Sequence, residues 1–482
     1  MKPIPTFRVP LAGLASRDAW PLSSGELAVR SGMYQRKTPS NGLYVGGFSV
    51  HNPRTNEVWF YLVTQDSSNL IVTITTYDQD WVVVDSIQTN TTSAVQAVNL
   101  TAVEDQMMVS SPNFTTLWAV VGTPLLKAEK TASAVPGRVT LDVPCGLSVG
   151  WAARAVIAGS NALYISDALQ PRTFDPENVL NPPGGNIFGV TVSAGGALVI
   201  STTDGVWALP EDAANSPRVY GVWSKLSDYN CFQHRNVSNI HGALYGLTSQ
   251  GYRRIDQQGS EEIHLGEPSA VPASALFPPV ACDDFRRGSI FAGQYGPVVG
   301  IESHMNVTHL SAGVKSWWRI PKASGAAGTH RVVGVMSDAD GTDMVVLPTG
   351  VYRPEGSVDT RVDTGGSIGS SSVTGAVLGP IPTRPEFSNV IRWADFGTDG
   401  TVMTIAVGNG TKSVLVPQVA PVTGTDSWGT LYQNARLRSR RVNFVERTDE
   451  IVMFASIRGP GDRFGPGFDV HCAGPGRKRR TG

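Results

Sequence analysis

The sequence predicts an all-β protein, and three observations predict it. Two stretches nearly repeat each other: Gly196 to Leu209 reads GALVISTTDGVWAL, and Gly242 to Ile255 reads GALYGLTSQGYRRI. Each is a glycine, an alternating apolar run, a small polar turn ending in glycine, and a second short run carrying an aromatic. That pattern describes a β-hairpin. The copies lie 46 residues apart, within the period of propeller blades. Val, Ile, Thr and Trp are spread throughout and no long amphipathic helical pattern interrupts them, so the 52 glycines and 32 prolines punctuate many short strands rather than mark disorder. Together these predict a β-propeller of about six or seven blades, with an N-terminal arm and an additional C-terminal antiparallel β region.

In chain order, residues 1–55 are rich in turn formers and poor in periodicity, and read as an extended arm with one or two strands near Leu43 to Val50. The propeller is expected over 56–385. Val58 to Val63, Leu70 to Thr76 and Trp81 to Val84 form an antiparallel meander; Met107 to Ser110 and Leu117 to Val121 continue in the same style. Ala153 to Ser166 is a hairpin turning at Ser160-Asn161, and it runs into a proline-rich loop from Asp167 to Pro176. After the two repeated hairpins come Ser289 to Ala292, Val298 to Ile301 and an outer strand at Ser316 to Ile320. A further hairpin spans Val332 to Tyr352 around the turn Asp338 to Gly341, and Gly341 lies 99 residues past Gly242, roughly two blade periods. Arg353 to Pro385 is rich in Gly, Ser, Thr and Pro and reads as a linker or long loop. Residues 386–470 read as an antiparallel β region, either a small domain or the last part of the propeller carrying an insertion. In it, Thr401 to Val416 is a hairpin turning at Asn409-Gly410, and Arg436 to Phe444 is expected to pair with Ile451 to Ile457. Residues 471–482 form a basic tail.

Composition excludes several classes. Lys+Arg 39 against Asp+Glu 40 leaves a formal net charge of −1, so no global attraction to nucleic acid is expected. The four cysteines (Cys145, Cys231, Cys282 and Cys472) are far apart and read as buried thiols. The opening MKPIPTFRVPLAGLASRD lacks a continuous apolar core and is broken by prolines, so no secretory signal is expected. No apolar run approaches the ~18 residues of a membrane helix. Asn-x-Ser/Thr sequons are read as chance in a Thr-rich chain.

Candidate chemistry is sparse. Asp338-Ala-Asp340-Gly341-Thr-Asp343 spaces three carboxylates as a calcium loop does, yet no distal Glu closes it, and Asp and Gly are ordinary turn residues. Cys231 and His234 form an isolated pair without a second pair at zinc spacing. Asp395-Phe-Gly397 lacks every companion motif of a kinase. Adjacent carboxylates such as Glu261-Glu262 and Asp283-Asp284 point to opposite faces of a strand. No enzyme, cofactor or metal is expected. Two basic features remain. Arg436, Arg438 and Arg440 alternate in ARLRSRR, a row suited to phosphate, to a partner's acidic rim, or to a solvated sheet face. The tail Arg477, Lys478, Arg479 and Arg480 is a compact charge run. Trp207, Tyr252 and Trp317-Trp318 are expected to pack in the blades.

These residues bear a family resemblance. SRDAWPLSSGELAVRSGMYQRKTP, from Ser16 to Pro39, resembles the N-terminal region of tail nozzle proteins of short-tailed bacteriophages. Ala162 to Pro176 (ALYISDALQPRTFDP) is similar to a strand, Pro-rich, aromatic, Asp-Pro passage of that family, and GGALVISTTDGVWAL to its recurrent hairpins. The resemblance implies a β-propeller subunit of a homo-hexameric nozzle below the portal and tail adaptor protein. Such a nozzle conducts genomic DNA, in some members retains it, and contacts tail fibres or a needle. It implies a protein made in the host cytoplasm and carried in the virion tail, with no membrane anchor; it carries over no functional residue. The rival expectation is a carbohydrate- or receptor-binding propeller, with Tyr229, Tyr295 and Trp428 as stacking aromatics. A propeller hydrolase or lyase is disfavoured by the lack of a convergent acid, base or metal set.

Overall fold

The computed structural model describes residues 6–10, 15–22, 26–51, 57–95, 97–103, 106–120, 136–137, 146–211, 222–229, 235–249, 251–256, 259–262, 288–301, 304–311, 314–319, 331–356, 358–362, 368–381, 390–398, 403–408, 413–419, 438–447, 451–458 and 463–472. The described residues form an all-β chain, and its strands from Met33–Lys37 to Gly350–Pro354 build a seven-bladed propeller. Blades 1 to 6 occupy residues 43–90, 99–120, 148–180, 187–227, 237–262 and 289–319, and blade 7 residues 334–354. In blades 1 to 6 the strands pair antiparallel in chain order with the first lying innermost, and in blade 7 the strands of 334–354 do so.

Alternation along a strand serves two seams at once, because a blade is covered on both faces. Val58–Gln65 is buried at every position. Val58, Phe60 and Leu62 enter the cluster shared with blade 7, while Trp59, Tyr61 and Val63 enter the cluster shared with blade 2. Likewise Leu198 and Ile200 face blade 3 and Val199 faces blade 5. The repeat holds at atomic detail. Thr202 Oγ1 donates to the Gly205 carbonyl and Thr248 Oγ1 to the Gly251 carbonyl, both at 3.0 Å, at equivalent points of the two hairpins. Tyr252 is buried against Tyr245, and Trp207 packs at the edge of the seam between blades 3 and 4.

The ring closes through the N-terminal segment. Met33–Lys37 is the outermost strand of blade 7, with Arg353 opposite Tyr34 and Pro354 opposite Met33. On the inside, Gly334 of blade 7 meets Gly47 of blade 1 so closely that a Cβ at Gly334 would lie 2.5 Å from the Gly47 carbonyl oxygen.

Residues 1–55 are therefore more than an arm with strands near 43–50. Leu43–His51 is the inner strand of blade 1, and five shorter strands precede it. Those strands are three to five residues long, too short to show periodicity, and apart from the local pairing of Ala19–Pro21 with Leu27–Val29 their partners are distant in the chain. The stretch 353–385, expected as a linker, holds the strands Val358–Val362, Ile368–Ser372 and Thr374–Ile381. Its small residues suit close strand pairing as well as they suit loops.

Two further sheets follow. In the first, Thr374–Ile381 pairs with Ile451–Arg458, which pairs with Met403–Gly408, which pairs with Ser413–Val419. In the second, Val390–Thr398 lies between Arg438–Arg447 and Arg463–Cys472. The expected pairing of 436–444 with 451–457 is not made: Arg438–Arg447 pairs with Val390–Thr398, while Ile451–Arg458 is flanked on both edges by Thr374–Ile381 and Met403–Gly408 in the other sheet. The hairpin expected over 401–416 forms, with its Asn409-Gly410 turn outside the described residues.

Candidate functional site

The N-terminal strands stitch propeller and C-terminal sheets together. Ala15–Arg17 lies between Val314–Arg319, the outer strand of blade 6, and Thr374–Ile381, making one nine-stranded sheet. Thr6–Pro10 and Leu27–Val29 both pair with Arg463–Cys472. Between Ala15–Arg17 and Ala19–Pro21 stands Asp18, whose φ of 50° turns the chain in the left-handed region that Asp tolerates. Hairpin pairing of Ala19 with Val29 then returns Arg30 beside Asp18, where Arg30 N donates to the Asp18 carbonyl at 2.9 Å.

Arg30 is the centre of this junction and is 2 % exposed. Its Nε donates to Asp18 Oδ1 at 2.8 Å, and Nη1 and Nη2 donate to the two oxygens of Asp359 at 2.7 and 3.0 Å. Asp359 Oδ1 also accepts from Met33 N at 2.8 Å. The guanidinium lies 5.6 Å from the Trp318 ring of blade 6. Burial alone would pull the Arg30 pKa down, but the two carboxylates outweigh it and hold the group charged above its ordinary value. One side chain thus ties the arm, blade 6 and the strand after blade 7. Gly32 completes the junction: it exchanges backbone hydrogen bonds with Glu355 and Gly356, and a Cβ there would lie 2.1 Å from the Val358 carbonyl oxygen.

The second feature is the propeller axis. Residues of the seven inner strands, with Arg235 just before that of blade 5, line a cavity of about 340 Å³. Among the described lining residues Arg235 is the one charged side chain. It sits between Phe48 of blade 1 and Phe291 of blade 6, 5.0 and 5.3 Å from the ring centres. Its Nη2 donates to the Val98 carbonyl and lies 3.4 Å from Asn99 Oδ1, and its Nε has no partner among the described residues. Burial pulls its pKa down to about 9.

The sites read from the sequence fare unevenly. Arg438 and Arg440 occupy alternate positions of one strand, opposite Thr398 and Phe396. Arg436, Arg477, Lys478, Arg479, Arg480, Cys231, His234, Asp283, Asp284 and Trp428 lie outside the described residues. The Asp338–Asp343 stretch is a hairpin turn whose carboxylates diverge: Arg353 bridges Asp338 and Asp340, while Asp343 Oδ2 accepts from Gln294 N of blade 6 at 2.6 Å. Glu262 and Glu261 stand opposite Arg253 and Arg254, and Asp395 and Gly397 lie within Val390–Thr398. Tyr229 is covered by the Arg253 guanidinium at 3.9 Å. Tyr295 is 44 % exposed, with one face stacked on His309 and its edge toward Trp20. No group of three or more His, Cys, Asp or Glu gathers for a metal among the described residues.

Arg30, Asp18, Asp359 and Arg235 were not legible as a site. Asp359 is 329 residues from Arg30, and Arg235 becomes special only once seven strands surround it.

No family model and no curated protein matches the chain. Among solved structures it is similar to the extracellular domain of the hybrid two component system BT4673 from B. thetaiotaomicron, at 10% identity and a TM-score of 0.41, covering 68% of this chain and 40% of that one. It is similar to the Neurospora crassa Pan2 WD40 domain at 8% identity and a TM-score of 0.40, covering 70% of this chain and 98% of that one. It is likewise similar to the WD40 beta propeller domain of Doa1, at 8% identity and a TM-score of 0.38, covering 67% and 96%.

Proposed function

We propose that this chain is a structural subunit of a short-tailed phage tail. Six copies form a nozzle below the portal and adaptor that conducts and retains genomic DNA and anchors fibres or a needle. The observation that carries this reading is the position of the resembling stretch. Its strands, from Ala15 to Lys37, join the propeller to the C-terminal sheets by pairing on both sides and by the buried Arg30 junction. A wall subunit has to transmit force between its parts without a hinge, and stitched strands do this where a single linker does not.

The axial cavity supports one refinement. A space of about 340 Å³ crossed by Arg235 admits no duplex, whose major groove alone is about 12 Å wide. In this reading the DNA path runs between copies, and a near-neutral chain retards it little. A six-fold ring needs two different faces on each subunit. Ser413–Val419 and Arg438–Arg447 each have one paired neighbour among the described residues, so each offers an edge to an adjoining copy. Electron microscopy of the purified protein or the virion tests the reading: six-fold rings are expected, and a stable monomer that never enters the tail overturns it. The exposed Tyr295 beside Trp20 and His309 favours the second reading, a glycan- or receptor-binding propeller; strong glycan-array binding by the isolated protein would select it.

A further inference from the structure

We propose that the propeller axis is a binding site for a small oxyanion, a phosphate or carboxylate group, held by Arg235 inside the ring of inner strands. This inference does not rest on the nozzle reading.

Three observations converge. The first is charge without compensation: among the described lining residues Arg235 is the one charged side chain, and none of them is a carboxylate. A guanidinium enclosed in low-polarity surroundings is costly unless it is paired and hydrogen-bonded. The contrast with Arg30 is internal to the molecule: Arg30 is buried and meets two carboxylates, whereas Arg235 is half-buried and its Nε has no partner among the described residues. The lowered pKa of Arg235 agrees with this, having burial as its cause and no opposing carboxylate.

The second is orientation. Phe48 and Phe291 flank the guanidinium and Nη2 is anchored to the Val98 carbonyl, so the head group cannot swing out to solvent without losing these contacts. The backbone is held too: Arg235 has a φ of 61° and its carbonyl accepts from Ile290 N at 2.9 Å. A non-glycine residue kept in the left-handed region by its surroundings is a feature that clusters at ligand clamps. A planar, fixed fork of donors is the geometry that oxyanions match.

The third is space and company. The cavity of about 340 Å³ is at the small end of ligand sites, and Thr191 and Ser238 bring hydroxyls to its wall. Arg331, exposed at the start of blade 7, places Nη2 3.4 Å from the Val95 carbonyl. Both arginines thus reach the segment entering blade 2. A neutral sugar would satisfy the hydroxyls but leave the charge unanswered.

The experiment is titration of the full chain with inorganic phosphate, and separately with succinate, by isothermal calorimetry at constant ionic strength set with chloride. Saturable binding of either anion at one site per chain is expected, and Arg235→Gln is expected to weaken it about tenfold or more, since it removes a charge-assisted bond while keeping an amide donor. Binding by one anion alone identifies which oxyanion chemistry the site takes. Absence of saturable binding of both to the wild type, or unchanged affinity in Arg235→Gln, overturns the proposal. Should Arg235→Gln fail to fold, crystals of the wild type soaked in selenate decide: an anomalous peak at the Arg235 guanidinium supports the site, and an axis without one refutes it.

Discussion

Arg30 shows how much one side chain carries at the residue scale. Arg30→Met leaves Asp18 and Asp359 buried without their cation, and breaking a buried pair in this way costs about 3–5 kcal/mol. Arg30→Lys keeps the charge but cannot reach both carboxylates as a fork, so it should fall between wild type and Arg30→Met. Denaturant unfolding measures both; a loss below about 1 kcal/mol for Arg30→Met would mean the junction is not structurally important. Asp343 behaves oppositely. Burial pushes its pKa up from the ordinary 3.8 to about 6, against the hydrogen bond from Gln294 N. The folded state therefore holds a proton that the unfolded chain has already released, and stability from this group is lost as pH rises from about 4 through about 6. Asp343→Asn should consequently gain on wild type by on the order of 2 kcal/mol between about pH 4 and about pH 7.5. Melting temperatures of both proteins at the two pH values check this, and a gap independent of pH would contradict it.

At the scale of elements, the seam between blades 1 and 7 is the point where the ring shuts. Gly334 is in backbone contact with Gly47, so Gly334→Val must push the two inner strands apart, and overpacking of this kind costs about 1–3 kcal/mol. Gly195, whose added Cβ would meet only Ser193 Oγ at 4.0 Å, is the control, and Gly195→Ala should be nearly neutral. Thermal unfolding of the pair separates a closure effect from a general dislike of added side chains. The hairpins themselves were legible in advance, since alternation and glycine-bearing turns are local: Leu198–Thr202 and Gly205–Leu209 pair as the repeat implied. The sheet edges were not. Met33–Lys37 carries the pattern MYQRK, which announces a strand only weakly and says nothing of Tyr352 as its neighbour.

For the whole molecule, the N-terminal strands make propeller and C-terminal sheets a single hydrogen-bonded unit. Removing residues 1–32 should expose the facing edges of Val314–Arg319, Thr374–Ile381 and Arg463–Cys472 together, and unpaired edges are templates for aggregation. The truncated chain is therefore expected to be insoluble or oligomerise irregularly, as size-exclusion chromatography would report. A soluble, well-behaved propeller from that truncation would show that blades alone suffice. In the nozzle reading the same truncation abolishes ring formation, whereas Arg235→Gln leaves it intact, since the propeller axis is not the DNA path.

By itself the sequence determined the class of the fold, the blade-like period and the two-sided alternation that fills the seams. These are properties of neighbouring residues: a strand's faces, a turn's glycine, the distance to the next copy. Tertiary structure alone decided the count of seven, the closing strand at Met33–Lys37, the interleaving of the chain's two ends, and the significance of Arg30 and Arg235. Each depends on contacts between segments far apart in the chain, where an arginine opposite two carboxylates and an arginine opposite none among the described residues are written with the same letter. The physical difference between them, a carboxylate partner for the guanidinium, exists only once the seven blades have closed.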